Sequence, residues 1–172
     1  MASQGEVDEL LAKLHEQREG FLVRVADLGE EQATFQPPDR DGEAGWSPKQ
    51  QLSHLAEMEV SYRATAQRAV TGTDVVAQPV RFPLQSAHTA TVARHLEALR
   101  ELRAQTLDYI HSLPLAAFDG RVVTGTFPEM SVLQWLRSYY RHDRMHLAQI
   151  EGRASDYQPR FVGGEPDQRR RA

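Results

Sequence analysis

Two histidines four residues apart, His142 and His146, offer the clearest chemistry in this 172-residue sequence. On a helix that spacing stacks both imidazoles on one face, about one turn apart, where both reach a common cation. The sequence contains no cysteine. Disulfides, thiolate ligands and a cysteine nucleophile are therefore excluded, and any metal must be held by nitrogen and oxygen. The competing reading is a pair of core histidines with ordinary hydrogen bonds. The pair shares a stripe with Trp135, Tyr139 and Ile150, which points both rings inward. A buried imidazole needs a partner for each nitrogen, and a cation on one with an acceptor on the other supplies both.

Four segments of helical period must position these rings. The first runs from about Val7 to Leu28, with Gly29 as a candidate C-cap. The second opens at Ser47-Pro-Lys-Gln, which joins an N-cap serine, a proline at the first helical position and a glutamine able to bond back to the cap. Gln51, Leu55, Met58, Tyr62 and Ala66 line one of its faces, His54 lies beside that stripe, and Gly72 ends it. The third runs from about Ala87 to Leu113, with Val92, Leu96, Leu99, Arg103, Thr106 and Ile110 at helical spacing and Pro114 as the stop. The fourth opens at Ser131-Val-Leu-Gln, a second capping box, and carries His142 and His146 toward Arg153.

The linkers near 30–46, 73–86 and 115–130 are long for a bundle whose loops usually take about 2 to 8 residues, so at least one is expected to cross over. Arg121 to Phe127 reads as a short extended piece or hairpin.

His54 is the best-placed third ligand. At 1.5 Å per residue it lies roughly 9 Å from the start of its helix, and the His142/His146 pair lies roughly 14 Å from the end of the fourth. Antiparallel packing brings those levels together, whereas parallel packing leaves them about 10 Å apart. Glu57, one turn beyond His54, is the candidate base, orienting residue or extra ligand, and Asp143 is the second choice; the plainer reading for both is a solvated helix face. His111 suits a helix C-terminus, while His15, His88 and His95 read as surface or rim residues. Trp46, Trp135, Tyr139 and Tyr140 are either pocket walls or plain core.

Composition sets the outer bounds. A hydrophobic fraction of 40 % and a charged fraction of 26 % describe an ordinary globular chain of one domain, read here as a bundle over 1–154 and a tail over 155–172. The net charge is −4, and the one positive cluster is Arg169, Arg170 and Arg171, so nucleic acid is not an expected partner. No apolar run suits a membrane span or a signal segment, and a cytoplasmic location is expected.

The run Trp46-Ser-Pro-Lys-Gln-Gln-Leu-Ser-His54-Leu-Ala, followed about ninety residues later by Arg141-His142-Asp-Arg-Met-His146-Leu-Ala-Gln-Ile150, resembles the DinB-like family of metal-binding bundles. The resemblance implies an all-α four-helix bundle of up-down-down-up order, with a long crossover between the second and third helices and antiparallel second and fourth helices. It also implies one divalent ion, zinc or nickel, on His54, His142 and His146, and a homodimer. Relatives in that family resemble transferases or isomerases that use low-molecular-weight thiols, although fold and metal site carry over better than reaction does.

The expected function is therefore a metal-dependent enzyme acting on a small molecule, with transfer of a thiol to an electrophile as the leading reaction. A metal-dependent hydrolase and a non-catalytic, dimeric metal-binding or stress-response protein are the alternatives.

Overall fold

Every long helix of the chain starts on a hydroxyl cap. The computed structural model describes residues 1–125, 127–154, 160–162 and 165–167. Helix α1 spans Gln4–Val25 behind a Ser3/Glu6 capping box, an additional turn of helix before the expected Val7. A short α2, Glu30–Thr34, follows with Gly29 as its N-cap; Gly29 does not cap α1, which ends on Ala26 in right-handed conformation. Helix α3 spans Pro48–Thr71, with Ser47 and Gln50 bonding reciprocally and Gly72 closing it at φ +69°. Helix α4, Val92–Ser112, starts on Thr91. Helix α5, Val132–Ile150, starts on the Ser131/Gln134 box. Strands β1, Arg121–Val122, and β2, Met130–Ser131, pair antiparallel between α4 and α5, which is the extended piece expected there.

Contacts between side chains fix the helix directions. Glu59 of α3 meets Arg103 of α4, and one turn later Arg63 reaches Leu102 O and Thr106, so α3 and α4 run parallel. Gln51 meets His146, His54 meets His142, and Trp135 donates to Tyr62 O, so α3 and α5 run antiparallel. Glu6 pairs with Arg137 and Arg24 with Glu151, which makes α1 parallel to α5. The order is up-down-down-up, as expected, and residues 73–91 form the crossover.

That crossover is packed rather than slack. Leu84 N donates to Glu57 Oε1 at 2.9 Å, Arg81 pairs with Glu101, and a 3-10 turn covers Leu84–Thr89. The third helix therefore begins at Val92, not Ala87. The turn also corrects the reading of His95, which is 2 % exposed. Its Nε2 lies 2.8 Å from Ala87 O, and Phe82 packs edge-on against its ring. His15, His88 and His111 are exposed, and His88 bonds the cap residue Ser47 at 2.8 Å.

Four buried charges divide the core into two apolar clusters. Arg18, Glu59, Arg103 and Asp143, one from each long helix, are each at most 3 % exposed. Arg18 forks onto Asp143 at 2.9 and 2.8 Å and reaches Glu59 at 3.0 Å. Arg103 forks onto Glu59 at 2.9 and 2.8 Å, reaches Asp143 at 3.1 Å and donates to Leu14 O at 2.6 Å. Asp143 is thus a structural anion inside the bundle; the solvated helix face considered for it does not occur. One cluster, with Leu10, Leu14, Ile110 and Leu136, lies toward the hairpin, and the other, with Phe21, Leu52, Leu55 and Leu99, lies toward α2.

Of the expected tail, Arg160–Val162 and Glu165–Asp167 form a paired two-stranded sheet. The arginine cluster at 169–171 lies outside the described residues.

Burial alone would raise the Glu59 carboxyl, yet the guanidiniums of Arg103 and Arg18 bring it down to about 2 from 4.5. A carboxylate depressed in the folded state contributes stability that is fully present above 4.5 and lost as pH falls toward 2. Glu59→Gln should cost about 3–5 kcal/mol at neutral pH, because it leaves buried guanidinium charge unpaired. It should also flatten the loss of stability between pH 4.5 and 2. Urea melts across that range check both, and a cost under about 1 kcal/mol at pH 7 would contradict the assignment.

Candidate metal centre

The four charged residues set the register in which α3 and α5 face each other, and one to two turns toward α2 the three histidines meet. His54 projects from α3, and His142 and His146 project from consecutive turns of α5. His142 Nε2 lies 3.3 Å from His54 Nε2 and 3.0 Å from His146 Nε2. Two imidazole nitrogens sharing one ion at the usual bond length in a tetrahedral shell stand about 3.3 Å apart. The donor set therefore fits a cation without rearrangement of the helices. His146 is fully buried, His54 is 9 % exposed, and His142 is partly buried.

A fourth group completes the cluster. Glu43 places its carboxylate oxygens 3.6 Å from His54 Nε2 and 3.8 Å from His146 Nε2. One ligand atom from each of Glu43, His54, His142 and His146 lies within 4.8 Å of the others. Glu43 belongs to a 3-10 turn, Gly42–Gly45, inside a stretch that the sequence reading leaves as linker. Backbone geometry there demands glycine twice. Gly42 has φ +60°, and a Cβ on Gly45 would meet Arg40 O at 2.4 Å. Upstream of the turn, α2 is tied to the bundle by Glu30, which accepts from Val92 N at 2.8 Å and pairs with Lys49 at 2.6 Å.

Charge is excluded from the imidazoles. Burial pushes His54 down to about 4 from 6.5. Burial, with His54 adding repulsion, pushes His142 down to about 4. His146 is held well below the ordinary histidine range by burial and by its two neighbours. Glu43 moves the other way, raised by partial burial. Three neutral rings thus converge, each in the protonation state that a metal requires.

The surroundings are partly aromatic. The Trp46 ring lies edge-on to His54 with centroids 5.1 Å apart, and Tyr62 stands 5.9 Å from His142. Trp46 also borders a cavity of about 330 Å³ with Phe35, Pro37, Gln51 and Ile150. Trp135, Tyr139 and Tyr140 belong to the apolar cluster on the hairpin side.

Glu57 is placed elsewhere: its Oε1 holds the crossover at Leu84 N, and it is not among the four clustered residues. Glu43 lies in a loop, where no helical period marks it. Its one signal is an acid flanked closely by two glycines, Gly42 and Gly45, eleven residues before His54.

The family model of the DinB superfamily matches residues 13–150. A search of curated proteins finds no match. Among solved structures, the fold is similar to that of YfiT from Bacillus subtilis, described as a probable metal-dependent hydrolase with an unusual four-helix bundle topology. The TM-score is 0.69 at 21 % identity, over 88 % of this chain and 87 % of that one. It is also similar to a mycothiol-dependent maleylpyruvate isomerase, with a TM-score of 0.66 at 12 % identity over 84 % of this chain and 60 % of that one. At these identities the likeness concerns the fold. Among the described residues no helix is long and apolar enough to cross a membrane. The matched model, which spans most of the sequence, and the bundle order together place the chain in the DinB superfamily.

Proposed function

We propose that this chain is a metal-dependent enzyme that holds one divalent ion, zinc or nickel, on His54, His142 and His146 and acts on a small molecule. Its leading reaction is the transfer of a low-molecular-weight thiol to a small electrophile. The observation that carries the reading is the convergence of three neutral Nε2 atoms at 3.0 and 3.3 Å beside one carboxylate. His54, His142 and His146 would hold the ion and leave room for an exchangeable ligand, as catalytic sites do. When bound there, a divalent cation supplies the Lewis acidity that favours the anionic form of a thiol or of water near neutral pH.

The remaining work falls to the chain. Glu43 faces the convergence point from the loop side and is placed to take the proton that a nucleophile gives up; its raised pKa improves that match. Trp46 and Tyr62 wall the histidines and exclude bulk water. The cavity on the other side of Trp46 has the size of a small organic ligand, and it meets the histidines only through Trp46 and Gln51, since none of the four clustered residues lines it. With no cysteine in the chain, the sulfur arrives with the cosubstrate, and the mycothiol dependence of the isomerase of similar fold supports a thiol in that role. Hydrolysis is the second reading, favoured by the Glu43 carboxylate as a base for water and by the description of YfiT. A homodimer is part of the proposal on the family resemblance, and a cytoplasmic location is part of it on the reading of the sequence.

Metal analysis of the purified protein should find one ion per chain, and His146→Ala should lose most of it; full stoichiometry in that variant would rule out the proposed coordination. Titrating cobalt-substituted protein with cellular thiols should raise a sulfur-to-metal charge-transfer band. An unchanged spectrum, together with hydrolysis of ester or amide substrates that requires Glu43, would replace the thiol reading by the hydrolytic one.

The histidine shifts also predict a pH profile. An ordinary histidine chelate loses affinity as pH falls through 6.5, whereas His54 and His142 are protonated only near pH 4. Affinity for zinc should therefore stay nearly level between pH 8 and about 6 and fall steeply only below about 5. Competition with a chelating indicator across this range checks it, and a tenfold loss between pH 7 and 6 would contradict it.

A further inference from the structure

Gln51 is a polar residue 1 % exposed on the inward stripe of α3, three positions before His54. A buried glutamine, here beside Trp46, Pro48 and Ile150, needs partners for both ends of its amide. It has them on opposite sides: Nε2 donates to Trp46 O at 3.4 Å, and Oε1 lies 3.0 Å from His146 Nδ1.

We infer that Gln51 is a positioning residue that fixes the tautomer of His146, so that its Nε2 lone pair is the one offered to the ion. The Trp46 carbonyl can only accept, so the Gln51 NH₂ must face it and Oε1 must face the histidine. Oε1 can only accept, so His146 Nδ1 carries the proton. The ring is fully buried, away from bulk water, and the Gln149 side chain is the other amide that reaches it. Nε2 is left unprotonated and points at His142 Nε2 and His54.

The same amide ties the site together. Trp46, whose carbonyl orients Gln51, packs its ring against His54. One side chain of α3 thereby couples the ligand on its own helix, through Trp46, to a ligand on α5. An amide in this place also differs from the carboxylate that often backs a metal-bound histidine: it sets the tautomer without adding negative charge, and so leaves a bound cation more electrophilic.

This inference rests on the metal-centre reading for its function but not for its test. In metal-free protein, nitrogen-15 correlation spectra should show His146 protonated on Nδ1. Gln51→Met, close in shape but without an acceptor, should shift His146 toward the Nε2-protonated form and weaken zinc binding about 10- to 100-fold. Gln51→Glu should restore the Nδ1–H form and bind zinc at least as tightly as the unaltered protein. Its folding is the control for a merely structural loss in Gln51→Met. An Nε2-protonated His146 in the unaltered protein, or a Gln51→Met variant with unchanged tautomer and zinc affinity, would overturn the inference. Failure of the unaltered protein to bind zinc or nickel would instead end the metal reading, with the tautomer spectra still deciding the role of Gln51.

Discussion

Everything in this bundle depends on a two-by-two square of buried charge. Arg18, Glu59, Arg103 and Asp143 come one from each long helix and sum to zero. Buried ion pairs are a poor source of net stability, because desolvation offsets most of the Coulomb attraction. They are strict about geometry, however. Two bidentate forks tolerate little sliding of one helix along another, whereas apolar packing of leucines on both sides would accept several registers. The square thus acts as a pin through the bundle, and a slip by one turn at any helix would leave a charge unpaired in the core.

The register that the square imposes is the one the histidines need. Glu59 lies five residues beyond His54 on α3, and Asp143 directly follows His142 on α5. With Glu59 and Asp143 held on the same two guanidiniums, His54 is carried opposite His142 and His146. Rigid helices supply three donors, and a short glycine-hinged turn supplies Glu43. That arrangement sets the three histidines on long helices and Glu43 on a short turn, the placement that the proposed function calls for. The apolar cluster toward α2 lowers the local dielectric and keeps the imidazoles neutral, so the site is poised for a cation rather than for protons.

The helices and the histidine cluster were legible in the sequence because they rest on strong local signals: capping boxes at Ser47 and Ser131, a 3.6-residue period, and a four-residue histidine spacing. The charge square was only half visible. Arg103 falls on an otherwise apolar stripe, and Asp143 follows a ligand histidine, but their partners are 40 or more residues away and no local pattern pairs them. The burial of His95 was hidden for a related reason, since it depends on a crossover whose path is set by tertiary contacts at Glu57 and Ser47. Glu43 was the largest omission: loop residues carry no periodicity, and the glycines that aim it read simply as a turn.

On the proposed function, imidazoles from two helices share one ion. X-ray absorption at the zinc or nickel edge of the purified protein measures this directly, because imidazole rings leave a multiple-scattering signature and the first-shell distance is well resolved. Three histidine scatterers are expected at about 2.0–2.1 Å with one or two further oxygen, nitrogen or sulfur neighbours. A shell with fewer than two imidazoles, or one built mainly of carboxylate and water oxygens, would contradict it.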